Sequence, residues 1–598
     1  MAPSLSLRHP QCLAGALLLF CACSGRDRTP PPLSGEASAA LVRAIADSAL
    51  AAIFSRYPES KTYIGIAGAT HDGLHDNSIA TMRRHEAEDD RWLAELAPVV
   101  GDSLLGRPEW ALYGSLKEMF EAGVQNRVCR DELWAVDQMG GWQTSLPYLA
   151  SIQPVGSDSL RGQALVRWRQ VPRYVDVEIE SLREGLRLGY SAPKGTVRLV
   201  IGQLDRLLAP PPDSSEFYSP AARDSSPAFA AAFRALVADS INPALARYRD
   251  FLRDTYLPAA RETFAISALP NGAACYRASV RAWSTVDISP DSLYNLGLAQ
   301  MALIEREMQV IAERSFGTSD VPGLLRQFKT DPRYMFTTRA EIMAYSRDAV
   351  DRAWAVMPQW FGVLPKAKVT IEPVPSFRET SAVGEYASAA EDGSRPGTFF
   401  ISTYHPEQRS RAGPQAVAFH ETIPGHHLQI TIAREQQGEN HQLMRYLGNS
   451  GFSEGWGLYA ERLADEMGLY SSDLDRMGML SEQAWRAARL VIDPGLHTKG
   501  WTREQAIDYL ASHTTVIQGE AASEIDRYIT WPGQATSYML GMLEIRRLRT
   551  QAESTLGPRF DIRAFHDQVL QDGAVPLPLL QTRINRWVAA ERSREPSP

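Results

Sequence analysis

The sequence predicts a mainly α-helical protein that carries one small β-sheet. Through most of the chain, apolar residues recur at i, i+3 and i+4, which places them on one face of a helix. This spacing predicts helices at 40–57 and 81–96, and the first of them ends before Pro58. A further helix starts after Ser289, where Pro290 and Asp291 complete an N-terminal signal.

The helical pattern changes between residues 368 and 404. The segment 368–375 is rich in β-branched residues that alternate along the chain, and a second apolar run covers Thr398 to Ile401. We therefore expect a small sheet directly before a helix that starts near residue 412. An edge strand in this place either pairs with an extended peptide or serves only to cover the core.

Beyond the sheet, the chain returns to helical spacing and shows no internal repeat. The Pro- and Ser-rich stretch 209–227 is interpreted as a long surface loop inside one fold rather than as a linker between domains. The helices expected after the sheet cover residues 412–437, 441–467, 473–491, 502–514, 518–529, 534–555 and 578–592.

Composition excludes one broad class of partner. The chain has 598 residues, of which 44% are hydrophobic and 22% are charged, as in ordinary globular proteins. Its formal net charge is −8, and no run of five or more Lys and Arg residues occurs. We therefore expect no nucleic-acid partner.

The N-terminus has the features of a secretory leader. Residues 1–23 contain a weakly basic start and an apolar run at 13–22 that is too short to span a bilayer. Residues 24–39 are polar and Pro-rich, as in a flexible tether. This order resembles a bacterial lipoprotein with Cys23 as the lipidated residue, and secretion without an anchor is the alternative. We expect an envelope protein, periplasmic or anchored in the outer membrane, that meets the membrane only through this lipid.

Two of the five cysteines lie in the body of the chain, at Cys129 and Cys275. In an oxidising compartment they could form a disulfide. Two separate buried thiols are the favoured interpretation, because free cysteines are often buried. The body has no Cys-x-x-Cys cluster, which argues against a cysteine-ligated zinc site.

The stretch 418–429, AFHETIPGHHLQ, predicts a catalytic zinc site. A His-Glu pair followed by a second His on one helix provides two imidazole ligands and a carboxylate that acts on water. The usual spacing between the histidines is four residues, yet Pro424 stands at that place after His420. Pro424 and Gly425 predict a bulge at 423–425 that returns His426 to the ligand position. His427 is the alternative ligand.

A third ligand is expected from the helix at 451–468. Its aromatic residues fall on one side and its carboxylates on the other, so that it can both pack and bind metal. Glu454 is the predicted third ligand of a single zinc ion, and Glu461, two turns later, is the alternative. The competing interpretation is a set of unrelated core histidines and surface carboxylates. The combination of these motifs within 420–461 argues against it.

These motifs resemble the bacterial family of domain of unknown function 885. The likeness lies in HE-x-x-PGHHLQ at 420–429 and EGW-x-LYAE at 454–461, and it extends through 495–506, 527–541 and 565–577. That family is similar to the all-α zinc peptidases related to angiotensin-converting enzyme and thimet oligopeptidase. The resemblance implies a gluzincin-like fold over 40–598, with two helical lobes, a deep channel and a zinc site within 412–541. It also favours His426 over His427.

The expected mechanism uses Glu421 as the general base that activates water and then protonates the leaving amine. Tyr538 is the predicted donor to the developing oxyanion, a role that a late tyrosine has in the related peptidases. His497, in a loop expected at 493–501, is a second donor candidate. Asp493 is a candidate for orienting a ligand histidine.

Three arginines on predicted helices, Arg486, Arg489 and Arg527, are candidates for binding a substrate carboxylate. The alternative is that they are solvated or form ion pairs within the protein. The sequence as a whole thus predicts a zinc metallopeptidase of the envelope that acts on oligopeptides or other small substrates. A zinc hydrolase of other amides or esters is the first alternative. A non-catalytic binding protein on the same scaffold is the second.

Overall fold

The computed structural model describes residues 33–374, 384–435 and 440–594, and most of these residues are helical. The predicted mainly α class is therefore confirmed. The leader, with Cys23, lies outside the described residues. In the first half of the chain the helices are α1 (Gly35–Arg56), α2 (Ser60–Ile64), α3 (Ile79–Leu96), α4 (Glu109–Asn126), α5 (Trp142–Ile152), α6 (Asp158–Trp168), α7 (Val171–Leu188), α8 (Lys194–Leu208), α9 (Ser219–Ala222), α10 (Pro227–Leu236), α11 (Asn242–Phe251), α12 (Leu257–Ala259) and α13 (Gly272–Ser284).

The second half contains the sheet and the helices that follow the predicted order. Its elements are α14 (Pro290–Phe316), α15 (Val321–Thr330), α16 (Arg339–Trp360), β1 (Thr370–Pro373), β2 (Gly384–Ala387), β3 (Thr398–Ile401), α17 (Pro414–Glu421), α18 (His426–Glu435), α19 (Ser450–Glu466), α20 (Asp473–Thr498), α21 (Arg503–His513), α22 (Gln518–Thr530), α23 (Ser537–Leu556), α24 (Ile562–Leu570) and α25 (Leu577–Ser593).

Helix boundaries follow the capping rules at most predicted sites. Ser289 caps α14 by accepting a hydrogen bond from the backbone of Ser292, as its position predicts. Three expected boundaries are wrong. Helix α19 begins at Ser450 rather than at 441, because Gln442–Arg445 form a separate short 3₁₀ helix. Helix α1 begins at Gly35, inside the segment expected to be a tether. Helix α20 runs through Pro494 to Thr498 instead of ending at 491, because burial of nearly the whole helix outweighs the local cost of the proline.

Buried apolar side chains form two cores. The smaller core is built from residues between Val136 and Ala260, mainly on α5 to α11. The larger core takes residues from the remaining helices and the sheet. Phe217 and Ala221 of the Pro- and Ser-rich stretch are buried in the smaller core. This stretch therefore packs within the fold, which agrees with its interpretation as a loop rather than a linker.

Helix α1 is the one described helix that is long and apolar enough to cross a membrane, judged by length and composition. Its residues Val42, Ile45 and Ala46 are buried in the larger core. A helix that is buried in a protein core can be equally long and apolar.

Cys129, just after α4, and Cys275 on α13 are joined by a disulfide across 146 residues of sequence. The favoured interpretation of two separate thiols was therefore wrong. Sequence spacing could not reveal that these two segments pack against each other. A disulfide in this position is typical of a protein that folds in an oxidising compartment.

The predicted small sheet is present, with strand order β1-β3-β2. Strand β1 pairs in parallel with β3, and β2 pairs with β3 in the antiparallel direction. Strand β2 thus lies at an edge of the sheet. It also lies against α17, since a Cβ at Gly384 would be 3.0 Å from Val417. The sheet therefore places an edge strand one helical turn from Glu421.

Helices α19 and α23 approach each other through glycines. A Cβ added at Gly541 would lie 1.7 Å from the carbonyl oxygen of Gly451 and 2.8 Å from the Cα of Gly455. No residue with a side chain fits at this crossing. The crossing brings Tyr538, one turn before Gly541, next to Glu454, which precedes Gly455.

Candidate metal centre

The predicted helical bulge lies between α17 and α18. Helix α17 ends at Glu421, and α18 begins at His426, so residues 422–425 form the break. The indole N–H of Trp456 donates to the carbonyl oxygen of Pro424 at 2.8 Å and ties the bulge to α19. A Cβ at Gly425 would lie 1.9 Å from the carbonyl oxygen of His420. Only glycine fits there, which explains Gly425 within the motif.

The bulge brings the first two predicted ligands together and places them opposite the third. The rings of His420 and His426 have centroids 4.7 Å apart at nearly a right angle. The Nε2 atoms of both histidines lie 3.4 Å from the same oxygen, Oε2 of Glu454. Three side chains from α17, α18 and α19 thus converge on one point.

The ring of His420 is held tightly in this position. It is 3% exposed and packs closely against α19, where a Cβ at Gly457 would be 2.6 Å from its Nε2 atom. Its Nδ1 atom lies 2.8 Å from Oε1 of Glu461 and donates to that carboxylate. Gln483 donates to the other carboxylate oxygen of Glu461 at 3.2 Å. Histidine ligands of metal sites are commonly oriented by such a carboxylate.

The charges around the two histidines favour a cation between them. Burial lowers the pKa of His420, but the carboxylates of Glu454 and Glu461 more than offset this and raise it to about 10. Burial acts to raise the pKa of Glu454, and the two histidines overcome it and hold that pKa well below its usual value. Because Nδ1 of His420 donates to Glu461, a neutral His420 would point its Nε2 lone pair at Glu454. A proton or a metal ion relieves that repulsion.

Glu421 lies beside this cluster. Its carboxylate belongs, with ring nitrogens of His420 and His426, to a group whose ligand atoms lie within 4.8 Å of one another. Glu421, His426 and Glu454 are each partly exposed, whereas most of their neighbours are buried. The cluster is therefore partly open to solvent.

The two alternative ligands have other partners. His427 donates from Nε2 to the carbonyl oxygen of Ala367 at 2.9 Å and accepts at Nδ1 from the hydroxyl of Tyr386 at 2.9 Å. Its ring thus points away from the cluster, because successive residues of a helix are turned by about 100° from each other. Glu461 uses both carboxylate oxygens on His420 and Gln483. The geometry favours His426 and Glu454 as the ligands.

Tyr538 reaches the cluster from α23. Its ring stacks over that of His420, with centroids 6.5 Å apart, and it is partly exposed. Burial raises the pKa of its hydroxyl, and the negative charge of Glu454 raises it further. The hydroxyl is therefore protonated and able to donate a hydrogen bond near the predicted ligands.

The three predicted substrate-binding arginines lie together beneath Tyr538. Arg486 and Arg489 are one turn apart on α20, and Arg527 lies on α22. All three are buried and ion-paired, Arg486 with Glu482 and the other two with Glu524. The guanidinium carbon of Arg489 is 4.3 Å from the centroid of the Tyr538 ring.

Two predicted roles are contradicted by the contacts of the residues concerned. His497 lies inside α20, not in a loop, and its ring nitrogens contact the backbone N–H of Ile266 and the carbonyl oxygen of Tyr528. It has no free donor for an oxyanion. Asp493 accepts from the Tyr276 hydroxyl at 2.5 Å and from the Gly533 N–H, so it does not orient a ligand histidine. Both side chains fasten α20 to neighbouring segments.

Several supporting residues were not predicted. Gly457 and Gln483 position His420, and Glu482 and Glu524 pair with the arginines. Gly457 follows Trp456 in the motif and could have been predicted from the sequence. A glycine beside a histidine makes room for the imidazole ring. The others lie on distant segments, and their spacing in sequence gives no indication of contact.

Comparison with known proteins places the chain in a family. Residues 58–584 match the model of a family described as "Bacterial protein of unknown function (DUF885)". No curated protein matches the chain. Two solved structures, each described as a "putative lipoprotein", share its fold. The one from Colwellia psychrerythraea is 25% identical, with a TM-score of 0.84 over 93% of this chain and 99% of that chain. The one from Shewanella oneidensis is 17% identical, with a TM-score of 0.72 over 90% and 98%. The chain therefore belongs to the DUF885 family.

Proposed function

We propose that this protein is a zinc-dependent hydrolase of the cell envelope and that it cleaves short peptides. One observation carries the proposal: the Nε2 atoms of His420 and His426 each lie 3.4 Å from Oε2 of Glu454. Ligand atoms about 2.0–2.1 Å from a tetrahedral zinc ion are roughly 3.3–3.4 Å apart. The separation fits a shared ion better than direct hydrogen bonds, which are mostly about 2.9 Å long.

The donor set also fits zinc. Two imidazole nitrogens and one carboxylate oxygen make up the protein ligands of one common class of catalytic zinc site, which leaves a further position open. Glu461 would orient His420 from behind, as carboxylates do at such sites. When bound, the ion would supply an acidified water and polarise the substrate carbonyl.

Glu421 is the proposed general base and acid. It follows His420 directly at the end of α17 and is partly exposed, so it can reach both a water and a substrate. It takes a proton from the attacking water and delivers it to the leaving nitrogen. Tyr538, which lies beside His420, donates its hydroxyl proton in a hydrogen bond to the developing oxyanion.

Short peptides are the proposed substrates for two reasons. Strand β2 is an edge strand that lies against α17, where an extended peptide can pair with it. The motifs at 420–429 and 454–461 also resemble those of the all-α zinc peptidases, which implies the gluzincin-like arrangement of two lobes about a channel. The same groups can also hydrolyse other amides and esters. These compounds are therefore included in the substrate assay below.

An envelope location agrees with three independent features. The N-terminal sequence has the order of a lipoprotein leader. The two structural relatives are each described as a "putative lipoprotein". Cys129 and Cys275 form a disulfide, which favours an oxidising compartment. We propose that Cys23 carries the anchor and that residues 40–598 act as the hydrolase domain outside the membrane.

The decisive experiment combines chelation with Glu421→Gln. The purified protein is assayed on a peptide mixture and on amide and ester substrates, and its zinc content is measured by mass spectrometry. We expect cleavage of peptides that chelators abolish and zinc restores. Glu421→Gln should keep zinc and lose about 10²- to 10⁴-fold in turnover.

The exposed Glu407→Gln provides the matched control, with zinc and turnover unchanged. If esters or other amides are cleaved and peptides are not, the protein is a zinc hydrolase of non-peptide substrates. Zinc retention with no hydrolysis of any substrate would contradict the proposed enzyme and favour a binding protein.

A further inference from the structure

One cavity of the protein lies directly beside the helix that carries Glu421. Its volume is about 100 Å³, and Pro414 and Val417 of α17 form part of its wall. The spacing of Pro414, Val417 and Glu421 places them on one face of α17. These three residues are partly exposed, whereas the other residues of α17 are buried. The exposed face of this helix therefore runs from the cavity to the proposed general base.

The same cavity adjoins the edge strand of the sheet. Ile401, the last residue of β3, lines the cavity, and Gly384 of β2 is the register partner of Ile401. A Cβ at Gly384 would also lie 3.0 Å from Val417, which lines the cavity too. One end of β2 thus lies next to two residues of the cavity wall. A peptide that pairs with this edge strand therefore runs close to the cavity.

The wall of the cavity is mainly apolar. Phe336, Ile342 and Ile401 line it and also belong to the larger core, so the wall is continuous with that core. Ile517 lines the cavity as well and is 40% exposed, which places it where the cavity meets solvent. Binding sites for small ligands are typically concave and mostly apolar, with a few polar groups. The cavity has these features.

The charged groups of the wall balance one another. Among the described residues there are two of each sign: Lys329, Arg409, Glu482 and Glu520. Glu482 pairs with Arg486, and Lys329 donates to two backbone carbonyl groups. Burial raises the pKa of Glu520, and the positive charges of Arg409 and Lys329 act against this rise. Since neither sign predominates, the wall best fits an uncharged occupant.

The volume of the cavity limits the size of its occupant. An enclosed apolar cavity of about 150 Å³ holds a benzene molecule. This cavity, at about 100 Å³, is smaller. A branched aliphatic side chain such as that of leucine therefore fits it better than an aromatic ring does.

The position of the cavity along α17 relates it to the scissile bond. Val417 precedes Glu421 by four residues, which is about 6 Å along a helix axis. An extended peptide advances about 3.3 Å per residue. A substrate side chain in the cavity therefore belongs to a residue about two positions from the bond that Glu421 serves.

We propose that this cavity is the specificity pocket of the enzyme and that it binds an uncharged aliphatic side chain of the substrate. Burial of that side chain against Phe336, Ile342 and Val417 removes apolar surface from water and so favours binding. The substrate class is a short peptide with a leucine-like residue near the scissile bond. This inference rests on the proposed function for the position of the scissile bond, but its test needs no turnover.

The test is calorimetric binding to protein freed of metal by chelation and dialysis, so that neither zinc nor hydrolysis takes part. The probes are N-acetyl-penta-alanine amide and the peptides in which Leu replaces each Ala in turn. We expect one position at which Leu tightens binding roughly 10- to 50-fold, as for the burial of about three further carbon atoms. Lys, Glu or Trp at that position should bind no more tightly than Ala.

Two variants of Ile517 connect this preference with the cavity. Ile517→Trp fills the cavity from its exposed edge and should abolish the preference for Leu, with the affinity for the penta-alanine peptide unchanged. Ile517→Ala removes part of the wall and should weaken the preference severalfold. It provides the second variant in case the first does not fold, as judged by circular dichroism. Leu298→Trp on α14, where Leu298 is 41% exposed, is the matched control and should bind as the wild type does.

Equal binding of the penta-alanine peptide and all of its Leu variants by the wild type would overturn the inference. So would tighter binding of the Lys or Glu peptide, or a preference for Leu that neither Ile517 variant changes. If the preference for Leu depends on Ile517 but the zinc-loaded protein hydrolyses nothing, the proposed function fails while the pocket stands. Hydrolysis of peptides without any preference for Leu would support the proposed function and contradict the pocket.

Discussion

Five histidines, all buried except the partly exposed His426, fall into two sets that differ in what their rings contact. The held set comprises His427, His497 and His566. Each donates one ring N–H to a backbone carbonyl and accepts at the other nitrogen from an N–H or O–H group. The site pair, His420 and His426, instead points its Nε2 atoms at Glu454.

Electrostatics separate the two sets in the same way. Burial lowers the pKa of every member of the held set, to about 4 for His497 and about 3 for His566. Carboxylates raise the pKa of His420 in spite of its burial. Burial and membership of the motif therefore do not separate the two sets, since His427 has both. The chemical nature of the groups around each ring separates them.

The largest expected effect contrasts the two tyrosines that accompany the two sets. Tyr538 lies over His420, and the hydroxyl of Tyr459 contacts His566 at 2.8 Å. Tyr538→Phe should lower kcat by about 10²- to 10³-fold, the usual cost of removing one oxyanion donor. Tyr459→Phe, the matched control, should lower the Tm and leave kcat and zinc content unchanged. Equal effects of the two variants on kcat would remove the distinction between the sets.

A smaller effect is expected from the carboxylate behind His420. Glu461→Gln should weaken zinc binding by about 10- to 100-fold, as for other changes that disturb the orientation of a ligand. Competition with a chromogenic chelator measures this affinity. Asp465→Asn, one turn later on α19 and ion-paired with Arg476, is the control and should bind zinc normally. If Glu461→Gln instead loses as much zinc affinity as Glu454→Ala does, then Glu461 is itself a zinc ligand.

The smallest effect concerns the pH dependence of the held set. Burial lowers the pKa of His497 from its usual 6.5 to about 4. As the pH falls from 6.5 to 4, the unfolded chain binds a proton here that the folded chain does not bind. The wild type therefore loses the stability that His497 provides, by about tenfold in the folding equilibrium per pH unit, relative to a chain without this imidazole.

His497→Gln should accordingly be less stable than the wild type at pH 7, with a gap in Tm that narrows as the pH is lowered to 5. Thermal denaturation of both metal-free proteins measures the gap, and other titrating groups affect the two proteins alike. If the difference in Tm stays constant or widens as the pH is lowered, the folded protein does not keep His497 in its neutral form.

The sequence predicted features that depend on neighbours along the chain. These include the helical class, the sheet before α17, the bulge at Pro424-Gly425 and the position of Glu454 opposite the histidines. Each arises from periodicity, from backbone restrictions of Pro and Gly, or from two motifs on adjacent helices.

Features that depend on distant contacts were missed or predicted wrongly. The disulfide joins segments 146 residues apart. His497 was expected in a loop because Pro494 precedes it, whereas tertiary burial keeps α20 helical to Thr498. Glu524, which pairs with Arg489 and Arg527, has no sequence signal that distinguishes it from a surface carboxylate. Local patterns do not encode which helix faces are packed together.

The most direct test of the proposed site compares two adjacent histidines. Zinc content is measured by mass spectrometry for the wild type, His426→Ala and His427→Ala after dialysis at equal protein concentration. We predict one zinc ion per chain in the wild type and in His427→Ala, with loss of zinc in His426→Ala. Retention of zinc by His426→Ala together with its loss in His427→Ala would contradict the bulge at 422–425 as the device that builds the site.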